Sequence, residues 1–300
     1  MTALLAALAL GLGCSLAWAT LDAMRKLLVA RMDPVALLMW LSVGQVPVLG
    51  AWVMQGSGLE VAAAWWPWVL GSIALNIVAN LLFLYAVGSG EFSRAIPLLA
   101  FVPVWTAVLA IPLLGELPSP PQWLGIAMVV LGAIALHAGG SGRASWLTGL
   151  FTHRAAVAML GVSLAWATTI VLDKRAMAHA PASIHALALG LGQAVGMAVW
   201  ALRRARGDFA VWARMLVAQA GVAPLRLGLA AIVAALAIAL QLRAILVVPV
   251  AVLESMKRAV GMAAAMVAGR WLFDERISIG RALAVATMAV GAALVLLHAA

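Results

Sequence analysis

Residues 15–20 read Ser-Leu-Ala-Trp-Ala-Thr, and the same six residues return at 163–168. Each copy lies in an apolar run and is followed within about two helical turns by one acid and two bases. These are Asp22, Arg25 and Lys26 in the first copy and Asp173, Lys174 and Arg175 in the second. Repetition at this distance indicates a chain built from two copies of one unit. Residues 17–19 also mimic a signal-peptide cleavage site, but no base precedes the run and the motif recurs in mid-chain, so we expect no cleavage.

The composition requires a membrane environment. Of the 300 residues, 66% are hydrophobic and 10% are charged, against about 45–50% and about 25% in soluble domains. A membrane-spanning helix needs roughly 20 apolar residues. The predicted spans cover residues 2–20, 34–54, 65–87, 95–114, 121–138, 155–172, 182–202, 227–249, 250–272 and 282–298. These ten runs predict an all-α integral membrane protein.

A second repeat joins the segments that follow the fourth and ninth predicted spans. Each contains an acid just before the last helix of its half, Glu116 in the first and Glu275 in the second. The chain therefore divides into a five-helix repeat at residues 1–138, a Gly-rich linker at 139–153 and a second five-helix repeat at 154–300. Because five is an odd number, the second repeat must enter the membrane in the opposite sense. Such inverted repeats are typical of secondary transporters that work by alternating access.

These features resemble the drug/metabolite transporter superfamily, in its ten-helix EamA-like branch. The resemblance covers essentially the whole chain. It rests on the tryptophan in the first helix of each half and on the acid after the fourth and ninth helices. It implies an exporter or exchanger of small metabolites in the bacterial inner (plasma) membrane or an organellar membrane. Substrate identity, coupling ion and direction of transport stay open.

The ninth predicted span carries three charged residues on one face. Glu254, Lys257 and Arg258 are spaced i, i+3, i+4, so the acid can reach both bases. After internal pairing, one positive charge remains. Charged residues inside a membrane span are rare and usually face a cavity or one another. The spacing therefore favours a substrate-binding face, although Glu254 could also simply neutralise the bases, or the bases could reach the membrane surface.

The counterpart of this face in the first half is apolar. When the halves are aligned on the acids after the fourth and ninth helices, the places of the two bases are taken by Leu98 and Leu99. The shared fold therefore does not require charge there. The segment also resembles the Lys-Arg helix of plastid sugar-phosphate translocators, in which the pair binds the substrate phosphate. By that resemblance, Lys257 and Arg258 bind a phosphate or carboxylate.

Aromatic and amide side chains in other spans complete the predicted substrate site. The candidates are Trp18, Trp166, Asn76, Asn80 and Gln45, with Gln241 as a further amide. The two tryptophans occupy matching places, where they would either wall a cavity and stack on a flat or cationic group or anchor the helices at the membrane interface. The amides would either line the pathway or bond neighbouring helices.

Two titratable residues are candidates for proton or ion coupling. Histidine changes charge in the physiological pH range, so His185 could carry a proton, although a lone histidine near a helix start is commonly a local hydrogen-bonding group. Asp22 either serves coupling or forms a solvated ion pair with the bases at i+3 and i+4. The sequence contains no metal-ligand spacing, phosphate-binding loop or catalytic motif. We therefore predict no metal, no cofactor and no enzymatic activity.

Orientation and assembly are not determined by the sequence. Gly192 and Gly196 form a Gly-x-x-x-Gly pattern that suits internal packing or a homodimer. Basic residues concentrate in two predicted loops, 21–33 after the first span and 203–226 after the seventh. Because basic loops tend to lie in the cytoplasm, this distribution places both termini outside. The family resemblance instead places both termini in the cytoplasm. The basic residues lie at helix ends rather than in one stripe, which argues against nucleic acid as a partner. The alternative functions are a lipid-phosphate flippase and a membrane-embedded enzyme that use the same bases.

Overall fold

The structure is a computed structural model of the chain and describes residues 2–56, 58–88, 96–138, 154–273 and 278–298. Within these ranges all regular structure is helical. The α-helices are α1 (Thr2–Val29), α2 (Pro34–Gln55), α3 (Trp66–Gly88), α4 (Val102–Leu114), α5 (Pro120–Ala138), α6 (Arg154–Ala176), α7 (Ala182–Arg204), α8 (Phe209–Val222), α9 (Pro224–Val247), α10 (Val250–Phe273) and α11 (Ile279–Leu297). Two short 3₁₀-helices, Ala63–Trp65 and Ile96–Phe101, precede α3 and α4.

Each predicted span coincides with an observed helix, and α8 is additional. In the described part of the chain, α1, α2, α3, α6, α7, α9 and α11 are long and apolar enough to cross a membrane. The fourth and fifth predicted spans appear as the shorter apolar helices Leu98–Leu114 and Pro120–Ala135. α10 has 24 residues but carries three charged residues near its start. The fold is that of an all-α integral membrane protein.

The first helix is longer than its predicted span. α1 continues to Val29, so Arg25 and Lys26 lie on the helix and not in the loop that follows the predicted span. The apolar stripe persists through this charged stretch, because Leu21 and Leu28, two turns apart, are both buried. Burial of this stripe extends the helix past the end of the uncharged run.

The segment after α7 is also more ordered than the predicted loop. It contains α8, whose 14 residues are too few to cross a membrane as a single helix. Asp208 caps the start of α8, since its carboxylate accepts a hydrogen bond from the Val211 backbone N–H at 3.0 Å. Trp40 of α2 donates its indole N–H to the Leu216 carbonyl at 3.1 Å. The helix therefore lies against the ends of the spanning helices.

The fourth predicted span, 95–114, is not one uniform α-helix. It begins as the 3₁₀-helix Ile96–Phe101 and becomes α-helical at Val102. Pro103 has no backbone N–H to donate to the preceding turn, which explains why the regular α-helix starts here. α4 ends at Gly115, which has φ 72° and donates its N–H to the Ile111 carbonyl at 3.1 Å.

Helices of the two halves pack together in one bundle. α1 lies against α9 and α10, and α6 lies against α3 and α4. α2 packs on α7, and α5 packs on α11. The last pair is in close contact, because a Cβ added at Gly291 would lie 2.6 Å from the Gly125 carbonyl oxygen. Residues 1–138 and 154–298 therefore share a core and do not form separate bundles.

The Gly-x-x-x-Gly motif of α7 is used inside the chain. A Cβ at Gly192 would lie 2.6 Å from Ile73, and one at Gly196 would lie 2.2 Å from Ile77. Both isoleucines belong to α3, which packs on α7. These glycines therefore allow α3 to approach α7, and this face of α7 is already covered.

Candidate functional site

A polar cluster forms where α1, α9 and α10 meet, and Lys257 is at its centre. The Lys257 ammonium donates to Glu254 Oε1 at 2.6 Å and to Gln241 Oε1 at 2.8 Å. Its nitrogen also lies 5.2 Å from the centre of the Trp18 ring, within the range of a cation–π contact. We call Trp18, Gln241, Glu254, Lys257 and Arg258 the Lys257 cluster.

Local helix geometry and one close helix contact build this cluster. Lys257 is eight residues past Pro249, which is about 12 Å along the helix at about 1.5 Å per residue. A Cβ at Gly11 of α1 would lie 2.8 Å from the Met256 methyl group, so α1 closely approaches α10 at this level. The absence of a side chain at Gly11 allows this approach. Two turns later on α1, Trp18 lies over Lys257.

Arg258 is the base of the cluster that has no ion-pair partner among the described residues. Its Nε is buried and has no hydrogen-bond partner among the described residues. The indole N–H of Trp18 is likewise buried without an acceptor in that part of the chain. A buried donor without an acceptor costs about 1–3 kcal/mol. An anion with oxygen acceptors beside Arg258 would satisfy this guanidinium donor and would match it in charge.

A second base reinforces the positive character around Trp18. The guanidinium carbon of Arg25 lies 5.7 Å from the centre of the Trp18 ring. Arg25 and Lys257 therefore both lie within cation–π range of one indole. The nearby Asp22 is paired with Arg25 at 3.3 Å, and its side chain is 70% exposed. Asp22 thus forms an exposed ion pair at the end of α1 and has no described bond to the Lys257 cluster.

The matching tryptophan of the second half has a different environment. Trp166 lies 5.7 Å from Phe83, ring centre to ring centre. It packs in the apolar cluster that contains Leu98 and Leu99, the counterparts of the two bases in the sequence repeat. Trp18 and Trp166 therefore belong to separate clusters. In both halves a tryptophan lies near the helix position of the two bases or their counterparts. That position is charged in the second half and apolar in the first.

The three remaining amide candidates lie outside the Lys257 cluster. Asn80 donates from Nδ2 to the Asn76 carbonyl at 2.9 Å, one turn earlier on α3. Gln45 is buried on α2, and its Oε1 has no partner among the described residues. A Cβ at Gly190 of α7 would lie 3.5 Å from Gln45 Nε2, so the amide sits in the α2–α7 contact. Gln241, by contrast, contributes directly to the cluster.

His185 belongs to a buried network that joins α3, α6 and α7. Its Nδ1 accepts a hydrogen bond from the Trp65 indole at 3.1 Å, and its Nε2 lies 3.0 Å from Asp173 Oδ1. The Ser72 hydroxyl donates to the same carboxylate oxygen at 2.5 Å. We call Trp65, Ser72, Asp173 and His185 the His185 network. Sequence reasoning found His185 and the repeated acid Asp173 but not their contact, and it missed Trp65 and Ser72.

The His185 network has the residue types of a hydrolase triad but not the arrangement. In a triad, the serine hydroxyl is activated by a hydrogen bond to histidine. Here the Ser72 hydroxyl donates to Asp173, and the Trp65 indole occupies His185 Nδ1. Ser72 is therefore bonded to the carboxylate and not to the imidazole, so the network lacks the serine–histidine bond of a triad.

A neighbouring ion pair connects the segment after α4 with α6 and α10. The Lys174 ammonium lies 2.5 Å from Glu116 Oε1 and donates to the Val248 carbonyl at 3.3 Å. Glu116 Oε2 accepts a hydrogen bond from the Val250 backbone N–H at 2.9 Å, at the first residue of α10. The carboxylate therefore caps α10 as well as pairing with a base. Glu275, its counterpart in the sequence repeat, lies outside the described residues.

A cavity of about 100 Å³ lies beside Glu116, between that residue, Gln122 and Pro249. Metabolite sites usually occupy about 300–1,000 Å³, so this cavity is too small to hold a metabolite. Its lining includes no member of the Lys257 cluster. Among the described residues, no group of three or more histidine, cysteine or acidic side chains is placed to hold a metal ion.

Comparisons with known proteins agree with this architecture. Residues 5–137 match the model of the EamA-like transporter family. A solved crystal structure shares the fold with a TM-score of 0.71 and 18% identity, over 98% of this chain and 97% of its own. At that identity, the likeness concerns the fold alone. No curated protein sequence matches the chain. The family match covers residues 5–137 of the 300, and it indicates that the protein is a membrane transporter of small molecules.

Proposed function

We propose that the protein is a secondary transporter that exports or exchanges a small anionic metabolite, either phosphorylated or carboxylated. The Lys257 cluster is the binding site. The observation that carries this proposal is the buried Arg258 Nε, which has no acceptor among the described residues, whereas the adjacent Lys257 makes two hydrogen bonds. A bound oxyanion would supply the missing acceptor.

The members of the cluster have different roles in this proposal. Arg258 presents a planar fork that fits two oxygens of a carboxylate or phosphate. Lys257 is oriented by Glu254 and Gln241, and it adds a point charge at a fixed place. The Trp18 indole N–H is a second buried donor that the anion can satisfy. Glu254 limits the net charge of the empty cluster to one positive unit.

The packing of the helices supports alternating access by two inverted repeats. In the sequence repeat α1 corresponds to α6, α3 corresponds to α9 and α4 corresponds to α10. The α1–α9 contact therefore corresponds to the α6–α3 contact, and the α1–α10 contact corresponds to the α6–α4 contact. The α2–α7 and α5–α11 contacts map onto themselves. This is the pattern that a two-fold relation between repeats produces. Movement of one repeat against the other would then expose a central site to each side in turn.

The flippase and enzyme alternatives have weaker support in the described residues. An enzyme would need a free base beside Lys257 and Arg258, but Glu254 is bonded to Lys257 and 3% exposed. A flippase would need a route from lipid to the same bases. The family resemblance favours the bacterial inner membrane as the location.

The test is a thermal-shift screen of the purified protein against phosphorylated, carboxylated and cationic metabolites. A ligand that binds the folded state at ten times its Kd stabilises it by about 1.4 kcal/mol, which raises the melting temperature. We expect anions to raise the melting temperature of the parent and Arg258→Gln to lose that shift. The unliganded melting temperature should change little, because no described hydrogen bond is lost with the guanidinium.

Arg226→Gln is the matched control, because Arg226 lies exposed on α9. This variant removes the same charge from the protein and should keep the full anion shift. An equal anion shift in Arg258→Gln and the parent would contradict the proposed site. Shifts produced only by cationic compounds would contradict the substrate class.

A further inference from the structure

The His185 network is a second polar site, and anion binding at the Lys257 cluster does not use it. His185 and Ser72 are fully buried, Asp173 is 3% exposed and Trp65 is 4% exposed. Trp65 and Ser72 belong to the first repeat, and the other two residues belong to the second. The network therefore ties the repeats together through buried hydrogen bonds.

The hydrogen bonds determine the protonation state of His185. An indole N–H can only donate, so His185 Nδ1 must accept and cannot carry a proton while Trp65 is bound to it. The remaining proton of a neutral imidazole is then on Nε2, from which it is donated to Asp173. Ser72 donates its proton to the same carboxylate. In this arrangement the imidazole is neutral, and the network carries the single negative charge of Asp173.

The basic residues around the network interact with groups outside it. Lys174 of α6 pairs with Glu116, which follows α4. Arg175 of α6 lies over Trp68, and Arg243 of α9 lies over Trp52. His179 follows α6 in the turn toward α7, and its carbonyl accepts from the Ala62 N–H at 3.0 Å. Glu60 is exposed in the segment before α3. Asp173 is therefore a buried carboxylate whose described partners are all neutral donors.

One proton would neutralise this charge, and its position has a structural consequence. If His185 Nδ1 accepts the proton, the imidazolium keeps its Nε2–H bond to Asp173 and the pair becomes neutral overall. Nδ1 then becomes a donor and faces the Trp65 indole, which is also a donor. The two N–H groups cannot bond each other. Trp65 must therefore leave its position when His185 is charged.

Trp65 lies where such a release would separate the repeats. It directly precedes α3 and packs against Ala176 and Ala180, at the end of α6 and just after it. His185 is in the first turn of α7, and Asp173 is in the last turn of α6. All parts of the network thus lie at one end of the bundle, where α3, α6 and α7 meet.

We propose that the His185–Asp173 pair binds a proton from water and that this binding releases Trp65 and opens the contact of α3 with α6 and α7. The proton enters at His185 Nδ1 and returns to water from the same atom. The coupling role rests on the proposed transport function: the proton is then the coupling ion, and Trp65 holds one gate closed. The proton site itself does not depend on which substrate is carried.

The experiment is a nuclear magnetic resonance titration of the full-length protein with ¹⁵N-labelled histidine and tryptophan, without any substrate. Trp65→Phe and His185→Gln assign the two resonances. A protein in which the four other histidines are replaced by glutamine assigns His185 independently if His185→Gln does not fold. We expect the Nε2–H tautomer at high pH and a charged ring once the pair has taken up a proton. The Trp65 indole resonance should move in step with His185.

Two variants test the direction of the effect. In Trp65→Phe the competing donor is gone, so His185 should become charged at a higher pH than in the parent. In Asp173→Asn the imidazolium loses its counter-ion, so His185 should become charged at a lower pH. A ring that stays neutral down to about pH 5 would overturn the proton site. A charged ring with an unmoved Trp65 resonance would overturn the release of Trp65.

The thermal-shift screen is independent of this titration. A screen without anion binding would contradict the proposed substrate site but would not bear on the proton site. Failure of the titration would remove the proton site and leave anion binding untouched.

Discussion

The ammonium of Lys257 lies 5.2 Å from the centre of the Trp18 ring, and this contact joins the two halves of the chain. The matching Trp166 packs instead in the apolar cluster that contains Leu98 and Leu99. One repeat therefore presents a tryptophan to a charged helix face, and the other presents it to an apolar face. Because packing accommodates both arrangements, it does not by itself require the charges of α10.

The first prediction separates binding from stability at Lys257. Lys257→Met leaves Glu254 buried without its base, and removal of one partner of a buried pair costs about 3–5 kcal/mol. The double variant Glu254→Gln, Lys257→Met removes both charges, so it should recover most of that stability while still binding anions weakly. Equilibrium unfolding and anion thermal shifts measure the two effects. If the double variant binds anions as well as the parent does, Lys257 has only a structural role.

The second prediction concerns the two bonds of Glu116. Lys174→Met removes an ion pair whose side chains are only about one-fifth exposed, and it leaves the Glu116 carboxylate without its base, which costs about 1–3 kcal/mol. Glu116→Ala also removes the cap of α10, which adds about 1 kcal/mol. Glu116→Gln can keep a cap through its carbonyl oxygen and should lie between them. Equal free energies of unfolding for Lys174→Met and Glu116→Ala would show that the cap contributes nothing.

The third prediction concerns the contact between α5 and α11. A Cβ at Gly291 would lie 2.6 Å from the Gly125 carbonyl oxygen. Backbone must shift to relieve this overlap, so Gly291→Ala should destabilise the protein by about 1–3 kcal/mol. Gly280→Ala on the same helix meets nothing within 4 Å. This control should be neutral or stabilising by up to about 1 kcal/mol in unfolding measurements. Equal stability of the two variants would contradict the close contact.

The fourth prediction concerns topology. Ten spans place both termini on the same side of the membrane, provided that the 14-residue α8 does not cross it. Reporter fusions at Met1 and Ala300 should therefore report the same side. A reporter in the segment between α7 and α8 should report the opposite side from both termini. Termini on opposite sides would mean that α8 spans or that one predicted span does not.

The helices and the charged face of α10 could be predicted from the sequence because both depend on local geometry. In a membrane each helix must satisfy its backbone hydrogen bonds within its own segment, so the length of an apolar run is enough to locate it. The pairing of Lys257 with Glu254 follows from the i, i+3 spacing on one helix. The family resemblance, supported by the match of residues 5–137, likewise came from local motifs. The sequence does not predict the continuation of α1 past Asp22, because the uncharged run ends before that residue.

Contacts between distant segments were decided only by the tertiary structure. Trp65 is separated from His185 by 120 residues, and Ser72 is separated from Asp173 by 101. No periodicity in the sequence relates these positions, since each contact depends on which faces of α3, α6 and α7 pack together. The two tryptophans of the repeat show the same limit, because identical local motifs meet different neighbours. The sequence therefore determined the helices and the charges they carry, and packing between helices determined which of those charges have a partner among the described residues.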